Sequence, residues 1–289
     1  MSDRIVISER LHEGYAQTFE ATELLFEVRT DHQHLQIFDT PALGRVMMLD
    51  GIVQTTEKDE FIYHEMMVHV PLLAHPNPRR VLIIGGGDGG ILREVLRHPG
   101  IEHVTQVEID QSVIDMCRQY FPNHSQGAFD DPRVNIVIAD GREFVAQCSE
   151  QFDVIISDST DPIGPGEALF TSSFYADEKT CLTEGGIMVA QNGVPFMQGD
   201  EITTTWRRLT PLYEDVSFYV APVPTYVGGF MTLAWATDDS ALRRQTPEQI
   251  QQRLQAVQQG NPGFRPRYYN ADVHVAAFAL PNYVRDLLV

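Results

Sequence analysis

The chain has 289 residues, 43% of them hydrophobic, and sets 40 acidic side chains against 21 basic ones, a net charge of −19. Such a surface repels nucleic acid and anionic lipid and attracts cations, so no nucleic-acid partner is expected and a cationic ligand would be welcome. No run of 18 apolar residues marks a membrane span, which leaves a globular chain with enough apolar side chains for a sizeable core.

The opening stretch MSDRIVISERLHEGY is charged throughout and has no apolar signal segment. Residues 22–56 read as β: LLFEVRT, LQIF and RVMMLDGIVQTT carry short or alternating apolar runs, and Asp50-Gly51 fits a type I′ hairpin turn. From Asp59 to Val70 the pattern becomes helical, and Pro71 is the expected stop. His69 follows His64 by five positions, not the four of a zinc-binding H-E-x-x-H helix, so no metal is expected there. HPNPRR (75–80) reads as a connector. The expected division is a small N-terminal β domain over 1–70, strands plus connecting helix, and a larger Rossmann-like domain over 71–289.

Beyond Arg80, strands and helices alternate. VLIIG (81–85), VTQVEI (104–109), VNIVIA (134–139), DVIIS (153–157) and GIMVAQ (186–191) read as strands. Helices fall between them at about 89–97, 110–121, 142–148 and 172–183. Strands this apolar are buried on both faces, which predicts an α/β fold with a mostly parallel, doubly wound sheet. VSFYVAPV (216–223) and GFMTLAWAT (229–237) read as a hairpin-like pair at one edge. TPEQIQQRLQAVQQ (246–259) is a further helix with Thr246 as N-cap and Pro247 at the first helical position. Cys117, Cys148 and Cys181 lie far apart with no CxxC pair, usage that suits a reducing cytoplasm.

In a doubly wound sheet, ligands bind outside the carboxyl ends of the strands. Here each of the first four such ends is acidic: Asp88 in GGGDGG, Glu108-Ile109-Asp110, Asp140-Gly141, and Asp158-Ser159-Thr160-Asp161. One acidic loop is ordinarily a helix cap, as Asp110 is expected to be; four in succession point to a ligand. Gly85, Gly87 and Gly90 satisfy G-x-G-x-x-G, and Glu108 stands about 20 residues on, where an acid can take ribose hydroxyls. A pyrophosphate on that turn would meet Asp88 at roughly 4 Å, costing about 4 kcal/mol at an effective dielectric near 20. The carboxylate of S-adenosylmethionine meets a milder form of the same repulsion. Decarboxylated S-adenosylmethionine, with a ribose and only positive charge on its arm, suits Asp88.

GGGDGG, the Glu108 strand end, Asp140-Gly141 and DSTDPIGPGEALF (158–170) together resemble the polyamine aminopropyltransferase family, nearest its spermidine-forming members. The likeness extends upstream through LDGIVQTTEKDEFIYHEMMVHVPLLAHPNPRRVLIIGGGDGG (49–90) and downstream to PTY (224–226), from about Glu9 to Thr237. The resemblance implies an N-terminal β domain followed by a methyltransferase-type Rossmann-like domain, assembled as a cytoplasmic homodimer. It implies transfer of an aminopropyl group from decarboxylated S-adenosylmethionine, a co-substrate, to putrescine by direct displacement, giving spermidine and 5′-methylthioadenosine without a cofactor. By the same matching, Asp158 is the proton acceptor and Asp88 holds the aminopropyl ammonium. Glu108 would take the ribose, Asp140 and Gly141 the adenine edge, and Pro165 the loop over it. Gln33 and Gln54 would contact the nucleoside and the aminopropyl region. Tyr63, His64, Ser159, Thr160, Asp161 and Tyr226 would form the amine groove. Where the human-type members of the family carry tryptophan after Glu-Gly, this chain has Glu13-Gly14-Tyr15, which bears on preferred amine length.

Three alternatives share some of these features. An N-methyltransferase acting on a diamine would have the same fold but need room for the carboxylate of intact S-adenosylmethionine. An NAD-dependent oxidoreductase would place its pyrophosphate against Asp88. A polyamine-binding regulator would have no use for Asp158 as a base.

Overall fold

The computed structural model describes residues 5–160 and 164–289, with the side chains of 164 and 165 left aside. Strands β1 (Ile5–His12) and β2 (Tyr15–Ala21) form a two-stranded hairpin. An antiparallel sheet follows, β3 (Glu23–Arg29), β4 (His34–Thr40), β5 (Gly44–Leu49) and β6 (Ile52–Thr56), paired in chain order. Asp50 and Gly51 join β5 to β6 with φ of +50° and +82°, the two positive values that a type I′ turn requires, and Leu49 pairs with Ile52. The β1–β2 hairpin precedes the first strand legible in the sequence. Its alternation is muted because one inward position is Glu9, a polar residue only 2% exposed.

Helix α1 (Glu60–Ala74) runs one turn beyond the expected stop, with Pro71 inside it. A proline in the last turn removes a single backbone donor, and the His75 N–H still donates to the Pro71 carbonyl at 2.9 Å. Burial of Leu72, Leu73 and Ala74 favours continuing the helix. Every residue from Tyr63 to Ala74 is buried, so α1 is a central helix buried on all sides, its few polar residues included, rather than an amphipathic surface one. It shares a core with Val81, Ile83, Val154 and Ile156 of the large sheet, although the sequence pattern groups it with the N-terminal strands.

The remaining elements are β7 (Arg80–Gly85), α2 (Gly90–Leu96), β8 (His103–Glu108), α3 (Gln111–Tyr120), α4 (Pro122–Ser125), β9 (Val134–Ile138) and α5 (Gly141–Gln147). Then come β10 (Phe152–Asp158), α6 (Ser172–Thr180), β11 (Leu182–Gln191), α7 (Gly199–Leu209), β12 (Asp215–Pro222) and β13 (Phe230–Thr237). The chain ends in α8 (Pro247–Gly260), α9 (Ala271–Ala277) and α10 (Asn282–Arg285). One seven-stranded sheet has the order β12-β13-β11-β10-β7-β8-β9. The five strands from β11 to β9 are parallel, and the β12–β13 hairpin pairs antiparallel to β11 at the other edge. Asp110 caps α3 by accepting from the Ser112 N–H, and Thr246 closes a capping box with Gln249 at the start of α8. Helix α7, GDEITTTWRRL, has three adjacent threonines and no side-chain cap; it forms by burying Ile202, Thr205 and Leu209.

The architecture is α/β, a small N-terminal β region followed by a doubly wound sheet of the methyltransferase-like, Rossmann-related type. The chain leaves β7 toward β8 and β9 on one side and returns to β10 and β11 on the other. That switch opens a crevice above the carboxyl ends of β7 and β10. Among the described residues no helix is long and apolar enough to cross a membrane.

Candidate active site

A cavity of about 390 Å³ occupies this crevice, roofed by residues of the N-terminal strands. Its floor is the GGGDGG turn. Gly85 has φ +84° and pairs with Asp158; a Cβ there would lie 2.0 Å from the Asp158 carbonyl oxygen, so only glycine lets the two strand ends close up. At the start of α2 a Cβ on Gly90 would lie 2.2 Å from the His64 ring, so this glycine makes the slot that the imidazole fills.

Asp88 is 8% exposed. Its Oδ1 accepts from the Gly90 N–H at 2.8 Å, and its Oδ2 faces His64 Nε2 at 3.1 Å. The other nitrogen of His64, Nδ1, lies 2.5 Å from Glu60 Oε2, and Arg93 bonds the same Glu60 oxygen at 2.9 Å. Burial alone would raise the pKa of Asp88, but the charge and hydrogen bond of His64 carry it well below the usual carboxylate range. Burial likewise favours neutral His64, yet Asp88 and Glu60 together raise its pKa to about 10. The pair is ionised at neutral pH.

Asp158 ends β10 on the opposite lip and accepts from the Tyr63 hydroxyl at 2.5 Å. Desolvation, helped by the charge of Asp88, pushes its pKa up to about 6; the Tyr63 hydrogen bond and the charge of His64 hold it back. Glu108, at the end of β8, is pushed up to about 7 by burial against the lowering influence of the Asp110 and Ile109 N–H groups. Its Oε1 accepts from the Asp110 N–H at 3.0 Å. Tyr63 and Tyr226 stack edge to face at 5.8 Å, and the Tyr226 hydroxyl donates to the Gln54 carbonyl at 2.9 Å, tying the loop after β12 to β6.

Gln33, Gln54, Tyr63, His64, Asp88, Glu108, Asp140, Gly141, Asp158, Ser159, Thr160 and Tyr226 all line this one cavity. The Gln33 amide donates to Asp110 Oδ2 at 3.1 Å, beside the Glu108 end. Asp140 also caps α5, accepting from the Arg142 N–H at 2.8 Å. Asp161 and the side chain of Pro165 lie outside the described residues. Tyr15 is 49% exposed at the start of β2 and is absent from the lining. The lining also includes Glu9 from β1, Gln191 at the end of β11 and Gln198 beyond it, which the motifs do not reveal. Gln191 ends the fifth parallel strand, so the rule that found the four acidic loops reaches it too, but a lone glutamine carries no charge signal. No group of three His, Cys, Asp or Glu side chains among the described residues is arranged to hold a metal ion.

This geometry has close counterparts. Residues 60–246 match the family model described as the spermine/spermidine synthase domain, and residues 5–57 match the spermidine synthase tetramerisation domain. Polyamine aminopropyltransferase 1 of Pseudomonas aeruginosa is 59% identical over 96% of this chain and 95% of its own length. The polyamine aminopropyltransferase of Pectobacterium carotovorum is 57% identical over 100% and 99%. Among solved structures, a spermidine synthase in complex with the transition-state analogue AdoDATO superimposes with a TM-score of 0.91 at 40% identity, covering 98% of this chain and 94% of that one. The spermidine synthase of Thermotoga maritima follows at 0.88 and 37%, with the same coverage. An acidic crevice at the switch point of a methyltransferase-like sheet, matched along almost the whole chain, makes this protein a member of the spermidine synthase family of polyamine aminopropyltransferases.

Proposed function

We propose that the protein transfers the aminopropyl group of decarboxylated S-adenosylmethionine to putrescine, with Asp158 as the proton acceptor. The observation that carries this reading is the pair of carboxylates facing one cavity, Asp88 held ionised and Asp158 raised to about 6. An ionised Asp88 suits the ammonium on the donor's arm and repels the carboxylate of the intact donor. Glu108 takes the ribose hydroxyls, and Asp140 with Gly141 borders the adenine. Gln33 and Gln54 hold the nucleoside from the roof, and Tyr63, His64, Ser159, Thr160 and Tyr226 flank the amine.

Putrescine arrives protonated, because an alkyl amine titrates near 10 and only about one in a thousand is neutral at pH 7. Asp158 takes one proton, and the freed nitrogen pair attacks the aminopropyl carbon next to sulfur. The new C–N bond forms as the C–S bond breaks, and the sulfonium keeps the bonding pair as a neutral thioether. The products are spermidine and 5′-methylthioadenosine. Moving the base from 3.8 to about 6 narrows its gap to the amine by about two pKa units. That lowers the cost of proton transfer by roughly 3 kcal/mol, at 1.36 kcal/mol per unit. Positioning does the rest, since a sulfonium needs no acid to leave and the reacting atoms need only be held about 3–3.5 Å apart in line.

The deciding experiment supplies putrescine with either S-adenosylmethionine or its decarboxylated form and identifies products by mass. Spermidine and methylthioadenosine from the decarboxylated donor alone are expected; N-methylputrescine from the intact donor would overturn the reading. The same proposal places the enzyme in the cytoplasm, in keeping with its three free cysteines. It also retains the homodimer that the resemblance implies. The match to a tetramerisation domain makes four copies the competing outcome, and light scattering separates the two by mass.

A further inference from the structure

Behind Asp88 lies a set of buried charges that the displacement itself does not use. The two nitrogens of His64 face two carboxylates, Glu60 Oε2 at 2.5 Å and Asp88 Oδ2 at 3.1 Å. Ionised carboxylates only accept hydrogen bonds, so both ring nitrogens must donate and the ring is an imidazolium. Glu60 is itself fixed from behind: Arg93 Nη1 and Nη2 reach its two oxygens at 3.3 and 2.9 Å. Arg93 is anchored in turn to Glu94 Oε1 at 2.8 Å and to the Asn123 and His124 carbonyls at 3.0 and 2.8 Å. The side chains of Glu60, His64, Asp88 and Arg93 are each no more than 10% exposed, so water screens little of this.

We propose that Glu60, braced by Arg93, is a positioning residue that locks His64 against Asp88 and so presents the Asp88 carboxylate, charged and correctly turned, to the cationic arm of the donor. This rests on the reading of Asp88 as the acceptor of that arm. Removing the charge of Glu60 frees Nδ1 from its need to donate and leaves Asp88 as the sole carboxylate holding the ring protonated. The other groups near the ring are Tyr63 on α1, His124 on α4 with ring centroids 6.0 Å apart, and Asp158 across the cavity, while Arg93 on α2 stands behind Glu60. His124 is engaged with the Thr55 hydroxyl at 2.9 Å, and burial keeps its pKa low, so it does not replace Glu60.

The test is Glu60→Gln, which keeps shape and removes charge. Methylthioadenosine reports the nucleoside site alone, and the decarboxylated donor reports that site plus the arm, both by calorimetry without putrescine. In the variant the donor is expected to lose about tenfold in affinity while methylthioadenosine stays within about twofold. The ¹⁵N signals of His64 should show both nitrogens protonated past about pH 8 in the parent and a clearly lower midpoint in the variant. An equal loss for both ligands would mean a merely structural role. Unchanged donor affinity with an unchanged His64 titration would overturn the proposal while leaving the enzyme's activity intact. If the parent binds the decarboxylated donor no better than methylthioadenosine, it is instead the reading of Asp88 that fails. Should Glu60→Gln not fold, His64→Gln probes the same contact, because an amide donates to Asp88 without charge. The arm-dependent affinity should again fall about tenfold, and its persistence at the parent value would equally overturn the proposal.

Discussion

Two carboxylates face each other across the cavity, and their surroundings push them in opposite directions. On the α1–α2 side Asp88 meets an imidazolium and a helix-start N–H and stays ionised well below the usual range. On the sheet side Asp158 meets a phenol and, among the described residues, no cation in contact, and desolvation carries it to about 6. Desolvation acts to raise both acids, the half-buried Asp158 as well as the buried Asp88, so its direction cannot be what assigns their roles; the partner is. A carboxylate held charged makes a cation site, and one raised toward neutrality makes a better base.

The sharpest way to break that comparison is to neutralise each acid in turn. Asp158→Asn is expected to lower kcat by about a thousandfold, the range for a lost general base, with donor affinity changed by no more than a few-fold. Asp88→Asn should do the reverse: a donor KM raised by roughly ten- to a hundredfold and a smaller fall in kcat, as expected for a lost charged hydrogen bond of about 1.5–3 kcal/mol. Steady-state kinetics with each substrate varied checks both. An interchange of the two patterns would mean the roles are reversed.

Glu108 offers an intermediate case, buried like Asp88 but with no cation beside it among the described residues, and pushed up to about 7. A ribose that donates two hydroxyls prefers the ionised acid, so binding must expel a proton below that pKa. Nucleoside affinity should therefore be full above about pH 7 and fall by up to tenfold per unit as the pH drops below it. Calorimetry of methylthioadenosine between about pH 5.5 and 8, in buffers of different ionisation enthalpy, reads the proton directly. A flat profile with no proton release would remove Glu108 from the ribose.

What the sequence discloses of this site follows from which signals are local. The four acidic strand ends stand out because an apolar strand, a turn and a charge are adjacent in the chain, and the α/β alternation that places them on one edge is equally local. Gln33 and Gln54 became visible only through the resemblance, since they come from a different sheet and meet the cavity by packing. Glu9 escaped notice because an alternating strand with a buried acid reads as surface. Helix α1 was found but assigned by its neighbours in sequence, when burial on every face assigns it to the core under the large sheet. Pairings such as Glu60–His64–Asp88 need the fold, because the whole of β7 separates Asp88 from its partners on α1.

A fourth buried acid completes the comparison, with no hydrogen-bond partner among the described residues and no cavity. Glu178 on α6 is fully buried, and neither carboxylate oxygen has a hydrogen-bond partner among the described residues; burial alone raises its pKa far above 4.5. It stands near Tyr175 and Tyr213, away from the cavity lining, so nothing in the proposed chemistry needs it. The folded chain therefore holds a proton that the unfolded chain releases above about pH 4.5, and stability is lost at about 1.4 kcal/mol per unit as the pH rises from there toward the folded pKa. Glu178→Leu keeps a similar volume and removes the penalty, so it should stabilise the protein near pH 7, by a margin that grows with pH, with kcat unchanged. Denaturant unfolding of parent and variant across pH gives the decisive quantity, the gap between the two curves. A gap that widens with pH marks an acid buried without compensation; a constant gap, or a variant less stable than its parent, would mean that Glu178 is stabilised in place, as Asp88 is, by a partner of its own.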